Sequence, residues 1–151
     1  IPPLNYARVF RLKHDFPNLE IILNGGIQAL ETAQAVLARS GDSAIDGVML
    51  GRSLYNSPYM LAEVDHLIFS EESQAGDRSN IVIKYLDYAR TMIEQGARAH
   101  HIYKHMVGLY HGCAGARLWR QTIARLGQNH SDPNELIKLA QTLDTGLSIA
   151  A

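Results

Sequence analysis

Two short apolar runs in the first third of the chain each end in a glycine step. Asn24, Gly25 and Gly26 follow the first run, and Gly51 and Arg52 follow the second. A glycine turn before a helix exposes backbone N–H groups, and the helix dipole there favours an anion. Arg52 adds a planar set of donors suited to phosphate. We therefore predict one phosphate-binding cup; the alternative is a pair of ordinary turns and a surface arginine.

The spacing of the cup favours a phosphorylated cofactor over a nucleoside triphosphate. The chain has no Gly-x-x-x-x-Gly-Lys-Ser/Thr motif and no Gly-x-Gly-x-x-Gly after a strand. Consecutive strand ends that carry glycine are typical of the phosphate site of barrel enzymes. Flavin mononucleotide has a single phosphate, so a cup of two turns would suffice for it.

A second group of candidate binding residues lies in a segment without acidic residues. Between Glu94 and Asp132 there is no Asp or Glu, although the formal net charge of the whole chain is only −1. Arg117 and Arg120 are three residues apart, so both can project from one helix face toward backbone phosphates, while Trp119 turns toward the core. We predict contact with a nucleic acid; the alternative is a solvated basic face.

The histidines and the single cysteine offer weaker chemistry. His101 and His105 form an i, i+4 pair of the kind that binds zinc, but no carboxylate lies nearby in sequence, and we expect no metal site. Cys113 lies in a glycine-flanked turn, where a small packing residue is favoured over a nucleophile or an acid. Tyr55 or Tyr59 is expected to pack half-buried against the sheet.

The apolar patterns predict an α/β part followed by an all-helical part. The first part has strands over 20–23 and 47–50, with helices over 5–14, 29–39 and 57–68. Short parallel strands need crossover helices and are buried on both faces, and two strands alone do not form a stable sheet. We expect them to pair with strands absent from this sequence or to be covered by oligomerisation.

A polar segment over 70–79 is interpreted as a linker, and no strand pattern returns beyond it. Helices are predicted over 80–95, 100–110, 115–126 and 133–143. The motif Ser131-Asp132-Pro133 predicts the start of the last helix, with a capping side chain and a proline in the first turn.

Length and composition set the remaining limits. With 151 residues, of which 46% are hydrophobic, the chain can form an ordinary domain or be part of a larger one. One cysteine excludes an internal disulfide, and no apolar run could span a bilayer, so we expect a cytoplasmic protein. The start at Ile1-Pro2-Pro3, without an initiator methionine, suggests a piece of something longer.

Five motifs, spread over nearly the whole chain, are distinctive in combination. They are Ile1-Pro-Pro-Leu4, Leu23-Asn-Gly-Gly-Ile27, Asp46-Gly-Val-Met-Leu-Gly-Arg52, Pro58-Tyr59 and His105-Met-Val-Gly-Leu-Tyr-His-Gly-Cys-Ala-Gly-Ala-Arg-Leu-Trp-Arg120. Together they resemble the C-terminal part of the tRNA-dihydrouridine synthases, most closely the bacterial A subfamily.

The resemblance implies a fold and a reaction. The reaction is the FMN-dependent reduction of uridine to 5,6-dihydrouridine in the tRNA D-loop, with NADPH as reductant. The fold is the C-terminal part of a (β/α)8 TIM barrel in 1–69, the linker in 70–79, a small helical tRNA-binding domain in 80–145 and a tail in 146–151.

The resemblance also assigns roles to residues. The FMN-phosphate residues would be Asn24, Gly25, Gly26, Gly51 and Arg52. The tRNA-facing residues of the helical domain would be Arg117 and Arg120. The family's proton donor is a cysteine on a barrel loop upstream of Ile1, and Cys113 does not match its motif. We therefore expect no catalytic residue in this chain and negligible reductase activity from it alone.

Two alternative functions remain open at this point. One is another FMN- or phosphate-binding barrel oxidoreductase, such as a dihydroorotate-type dehydrogenase, although such an enzyme has no need for a basic helical part. The other is a non-catalytic RNA-binding module, in which Gly25, Gly26 and Arg52 would be incidental.

Overall fold

The computed structural model describes residues 3–39, 41, 44–73, 75–128 and 132–146. The chain divides into two compact units, Ile1–Leu54 with Glu63–Ser73 and Tyr55–Ala62 with Gln74–Ala151. The short segment Tyr55–Ala62 thus joins the unit that contains the C-terminal helices.

The helices and strands follow the predicted order, except that α3 over Arg52–Asn56 was not predicted. They are α1 (Tyr6–Asp15), β1 (Ile22–Asn24), α2 (Leu30–Leu37), β2 (Gly47–Met49), α3 (Arg52–Asn56), α4 (Val64–Phe69), α5 (Arg78–Glu94), α6 (Ala99–Tyr103), α7 (Ala116–Gln128) and α8 (Asn134–Asp144). Two 3₁₀ helices, Pro58–Glu63 and Lys104–Met106, precede α4 and follow α6. The first unit is therefore α/β, and the described part of the second unit contains helices and turns without a strand.

The prediction of one continuous α-helix is wrong for two of the helical segments. The predicted helix over 57–68 is a 3₁₀ helix followed by α4. The one predicted over 100–110 ends as an α-helix at Tyr103 and continues as 3₁₀ and turns. Close packing accounts for the glycine within these turns, because a Cβ at Gly108 would lie 2.4 Å from the Asn56 carbonyl oxygen.

The sheet consists of two parallel strands in register. Leu23 pairs with Val48, and both belong to the apolar core of the first unit. On the other face Ile22 is 47% exposed and Met49 is 48% exposed. Within this chain the two strands therefore have a packed core on one side only, and cover of the other face by absent strands or by oligomerisation stays a prediction.

The core of the first unit is small. The buried residues of its apolar cluster, among those described, are Leu23, Ile27, Ala33 and Ile45. Tyr6, Val9 and Phe10 of α1 are half-buried and pack against these four.

A lysine ties α1 to the sheet. Lys13 Nζ donates to both carboxylate oxygens of Asp46, at 3.0 and 2.8 Å, and to the carbonyl oxygens of Pro17 and Leu19. Asp46 also accepts from the Ile21 backbone N–H at 2.7 Å. The Lys13 side chain is only 11% exposed. One polar cluster thus joins the last turn of α1 to the strand-entry residues Ile21 and Asp46.

The second unit has a larger core, centred on two aromatic residues. Its buried members, all between 82 and 140, are Val82, Leu86, Ala89, Ile102, Tyr103, Met106, Leu109, Tyr110, Trp119, Ile123, Leu126, Leu136 and Ala140. The Tyr110 and Trp119 rings lie 4.7 Å apart between centroids. Trp119 Nε1 donates to the Met106 carbonyl at 2.8 Å, which satisfies its buried N–H. The prediction that Trp119 turns toward the core is confirmed.

Polar contacts close the end of α8 against the start of α5. The Tyr110 hydroxyl donates to the Ala140 carbonyl at 3.1 Å and to Asp144 Oδ1 at 2.9 Å. Asp144 Oδ2 in turn accepts from the Ser79 backbone N–H at 2.8 Å. Burial, and then the hydrogen bond to Asp144, raise the pKa of the Tyr110 phenol above its ordinary value.

Tyr59 packs against the helical core and not against the sheet, so the expectation for it is wrong in that respect. The Arg78 guanidinium lies 3.7 Å from the centre of the Tyr59 ring, and Arg78 Nε donates to the Leu109 carbonyl. Tyr59 also donates to the Gly76 carbonyl at 3.1 Å. These contacts hold the segment Tyr55–Ala62 within the second unit.

The predicted cap of the last helix is present in part. Asp132 Oδ1 accepts from the Asn134 backbone N–H at 2.9 Å, while Ser131 lies outside the described residues. Most of the predicted tail, 147–151, lies outside them as well. Among the described helices, none combines the length and the apolar character required to cross a membrane.

Candidate functional site

The two glycine turns lie at the same edge of the sheet. Because β1 and β2 are parallel and Asn24 pairs with Met49, both turns leave the sheet at the carboxyl ends of neighbouring strands. Ser53 Oγ also donates to the Ile27 carbonyl at 3.5 Å, which links the second turn to the first. The arrangement brings the glycines of both turns together with Arg52.

Contacts within the chain account for the glycines of the first turn. Gly25 and Gly26 have φ angles of +117° and +70°, which residues other than glycine rarely adopt. A Cβ on Gly26 would lie 2.5 Å from Leu4 Cδ1 and 2.8 Å from the Tyr6 hydroxyl. The same hydroxyl donates to the Gly25 carbonyl at 2.6 Å. The fold therefore needs both glycines, whether or not a ligand binds.

The second turn is different, because no neighbouring atom requires its glycine. A Cβ on Gly51 would meet nothing within 4 Å, and Gly51 has no positive φ. The adjacent Arg52 side chain is exposed, and within the described part of the chain it has no hydrogen bond or ion pair. Asn24, at the end of β1, is exposed at the same edge. An open backbone beside a free guanidinium is suited to an anion.

Arg117 and Arg120 of α7 are exposed to solvent, as predicted. Arg117 and Arg120 are exposed on the helix, while Trp119 between them is fully buried. The helix is amphipathic, with Ile123 and Leu126 buried on the same side as Trp119. Neither arginine has an ion-pair partner among the described residues, so both positive charges are available to a ligand.

In the folded chain, one arginine of the segment without acidic residues forms an ion pair with a carboxylate from outside that segment. Arg125 Nη2 pairs with the Glu135 carboxylate of α8, which lies beyond the segment in sequence. The positive charge of Arg125 is therefore partly compensated, whereas the charges of Arg117 and Arg120 are not. Sequence alone gave no reason to separate these three arginines.

The second unit contains a cleft that sequence reasoning did not predict. It has a volume of about 330 Å³ and is lined by Tyr55, Asn56, Lys104, Val107, Gly108, His111 and Arg120. Its lining combines two cations with an aromatic ring and an amide, and it includes no acidic residue. Nearly fifty residues separate Asn56 from Lys104, so no local spacing could have joined them.

The histidines form no metal centre in the described part of the chain, where no group of three or more His, Cys, Asp or Glu side chains is arranged to hold an ion. The His100 and His101 rings lie 3.9 Å apart between centroids. The charge of His100, with smaller effects from desolvation and nearby cations, lowers the pKa of His101. Cys113 is half-buried against the helical core, which confirms the prediction of a packing residue.

Comparison with known proteins identifies the family. The sequence model described as Dihydrouridine synthase (Dus) matches residues 1–145. The chain is 40% identical, over 97% of its length, to a tRNA-dihydrouridine(20/20a) synthase of Shewanella oneidensis. It is 44% identical, over 82% of its length, to a protein of the same name from Pseudomonas putida. The chain belongs to the dihydrouridine synthase family.

The chain is shorter than these relatives. It spans 43% of the length of the Shewanella oneidensis protein and 35% of the Pseudomonas putida protein. A Vibrio cholerae tRNA-dihydrouridine(20/20a) synthase, 42% identical over 82% of this chain, is covered over 36% of its length.

Proposed function

We propose that this chain is the C-terminal part of a tRNA-dihydrouridine synthase, which holds the phosphate end of FMN and contacts tRNA. Membership of the dihydrouridine synthase family supports this role over that of a dihydroorotate-type dehydrogenase. In this proposal, β1 and β2 with their helices are the last β/α units of a TIM barrel, and the second unit is the helical tRNA-binding domain. The exposed sheet residues Ile22 and Met49 fit such a barrel, whose further strands and interior would cover them.

The observation that carries the cofactor part of the proposal is the pairing of Gly51 with Arg52. Gly51 has open space where a side chain would be, and the neighbouring guanidinium is free. A phosphate that approaches this backbone would gain charge-assisted hydrogen bonds from Arg52 and from exposed N–H groups. The residues present therefore fit a phosphate monoester such as that of FMN.

The roles of the other residues in the cup follow from their surroundings. Gly25 and Gly26 shape the first turn against Leu4 and Tyr6, and Asn24 offers an exposed amide at the same edge. When bound, FMN would supply the hydride that reduces uridine, with NADPH as the source of electrons. The residues of this chain would bind and orient the phosphate end of that cofactor.

The cofactor proposal is tested by Arg52→Ala in the protein that contains this chain. Loss of the guanidinium should weaken FMN binding about tenfold, because a charge-assisted hydrogen bond to phosphate is lost. Flavin fluorescence during titration with FMN measures the dissociation constant. Arg8→Ala is the matched control, since Arg8 is also an exposed arginine of the first unit. Equal FMN affinity in the two variants would show that Arg52 does not hold the phosphate.

The activity is tested with the same protein, NADPH and a tRNA transcript that contains no dihydrouridine. Mass spectrometry of the digested tRNA should detect dihydrouridine only when NADPH is present. A double substitution, Arg117→Ala with Arg120→Ala, should raise KM for tRNA and leave NADPH oxidation without tRNA unchanged. NADPH-dependent flavin reduction without any dihydrouridine in the tRNA would argue for a different oxidoreductase.

A further inference from the structure

The cleft between the Tyr55–Asn56 segment and the turn after α6 has the features of a nucleotide site. At about 330 Å³ it falls in the size range of small-molecule sites. Arg120 and Lys104 line it, and both are exposed cations without an ion-pair partner among the described residues. A negatively charged ligand would meet two positive charges there and no carboxylate.

The aromatic wall of the cleft is held in place. Tyr55 is 59% exposed, so much of this residue is accessible to a ligand. Its hydroxyl lies 3.4 Å from His105 Nδ1, and the two rings meet edge to face at 6.0 Å between centroids. An exposed but oriented tyrosine can stack against a nucleobase without first losing much side-chain freedom.

One of the residues that line the cleft is a glycine in close contact with a neighbouring backbone. A Cβ on Gly108 would lie 2.4 Å from the Asn56 carbonyl oxygen and 3.0 Å from Pro58 Cδ. Gly108 thus permits the segment Tyr55–Ala62 to pack closely against the turn that carries Lys104 and His111. Asn56 and Gly108, which meet at this close approach, both line the cleft.

We propose that the cleft binds one nucleotide of the tRNA, with its phosphodiester between Arg120 and Lys104 and a neighbouring base on the Tyr55 ring. The proposal rests on the proposed tRNA-binding role of the second unit. The proposal assigns different roles to the two arginines of α7, since Arg120 lines the cleft and Arg117 does not. Arg117 would meet a different part of the RNA backbone.

The test measures the affinity of the full chain for an unmodified tRNA transcript by filter binding at several salt concentrations. Arg120→Ala and Lys104→Ala should each weaken binding about tenfold and reduce the dependence of affinity on salt by about one charge. Arg98→Ala is the matched control, because Arg98 is an exposed cation of the same segment outside the cleft. Trp119 fluorescence verifies that each variant keeps the buried indole.

Combined substitutions decide whether the two cations share one phosphate. The double change of Arg120 and Lys104 should weaken binding by less than the product of the single effects, because either loss already releases the phosphate. Arg120→Ala combined with Arg98→Ala should be multiplicative. For the base, Tyr55→Ala should weaken binding about tenfold, while Tyr55→Phe, which keeps the ring, should remain within about twofold of the unsubstituted chain.

Ethylation of individual tRNA phosphates locates the contact. One ethylated phosphate that blocks binding to the unsubstituted chain should lose its effect in both Arg120→Ala and Lys104→Ala. If the unsubstituted chain binds tRNA but both variants behave like Arg98→Ala, the cleft proposal is wrong and tRNA binding by this unit stands. If the unsubstituted chain does not bind tRNA at all, both proposals are overturned.

Discussion

Arginines of this chain have different roles that depend on what each one meets in the folded structure. Arg78 lies over the Tyr59 ring and donates to a carbonyl, and Arg125 pairs with Glu135. Arg52, Arg117 and Arg120, in contrast, are exposed and have no ion-pair partner within the described residues. Only such uncompensated guanidinium groups can give a phosphate their full charge, so these three are the better candidates for ligand contact.

The glycines of the predicted cup also differ from one another: some are required by contacts within the chain, and one is not. The turn at Gly25 and Gly26 needs positive φ angles, and a Cβ on Gly26 would clash with Leu4 and Tyr6. Gly51 has neither constraint. A glycine that is required by φ or by neighbouring atoms of the chain is weak support for a ligand site. Within the cup, Gly51 is the glycine that neither constraint requires.

The buried hydroxyl of Tyr110 gives a prediction for stability. Tyr110→Phe removes the hydrogen bonds to Ala140 and Asp144, and we expect a loss of about 1–2 kcal/mol in the free energy of unfolding. Urea denaturation followed by Trp119 fluorescence measures it. Tyr88→Phe is the control, because the Tyr88 side chain is exposed. Equal midpoints for the two variants would contradict the prediction.

The same residue predicts a change at alkaline pH. The pKa of Tyr110 is raised in the folded chain, so its contribution to stability is complete below the unfolded pKa of about 10 and declines as the pH rises above it. The difference in unfolding free energy between the unsubstituted chain and Tyr110→Phe should therefore shrink between about pH 9 and 11. A constant difference over that range would exclude ionisation of Tyr110 as the cause.

At the scale of the element, α1 is tied to the sheet by a polar cluster as well as by its apolar face. Lys13 Nζ makes four contacts with oxygen atoms, and Asp46 accepts from both Lys13 and Ile21. The hydrogen bond from Lys13, with a further one from the Ile21 backbone, lowers the pKa of Asp46. The helix therefore depends on an ionised carboxylate at the start of β2.

Loss of this cluster should release α1 first. In Lys13→Ala, hydrogen exchange should become faster at the amides of α1, while Trp119 fluorescence should stay unchanged because Trp119 belongs to the other unit. Arg11→Ala is the matched control, since Arg11 is 84% exposed and lies 3.9 Å from Asp15. Exchange rates in α1 that are equal in the two variants would show that the cluster does not anchor the helix.

Acid should have the same effect through Asp46. Its pKa is lowered in the folded chain, so its contribution is complete above the unfolded pKa of about 4 and is lost as the pH falls through the folded pKa. The faster exchange of α1 in acid should therefore be much reduced in Lys13→Ala, whose cluster is already broken. If acid speeds exchange equally in both, other carboxylates are responsible.

At the scale of the whole molecule, the two units have cores of different size. The buried cluster of the second unit includes Trp119 and Tyr110, whereas that of the first has four buried members within the described residues. The first unit also relies on a sheet of two strands, which is marginal in isolation. The chain should therefore not unfold in a single two-state transition.

Urea denaturation of the full chain should separate the two units. Amides of β1 and β2 should lose protection from hydrogen exchange at a lower urea concentration than that at which Trp119 becomes exposed. The buried Leu86 and Leu136 amides serve as internal controls for the second unit, because both residues are fully buried beside Trp119 in its core. Coincident loss of protection in both units would show that they unfold cooperatively.

The sequence by itself determined much of the secondary structure and the family. Apolar periodicity, glycine steps and the motif from His105 to Arg120 predicted both strands, most of the helices and the burial of Trp119, because these depend on local spacing and on side-chain polarity. The five cup residues and the two arginines of α7 were also proposed from sequence, and their ligands remain predictions.

Tertiary structure decided the properties that depend on residues far apart in the chain. Only the fold places Glu135 beside Arg125, Asn56 against Gly108 and Lys104 in one cleft with Arg120. It also shows that Tyr59 packs with the helices and that one face of the sheet is exposed. Charge compensation, steric exclusion and cavity shape are set by distances in space, and local sequence spacing does not fix those distances.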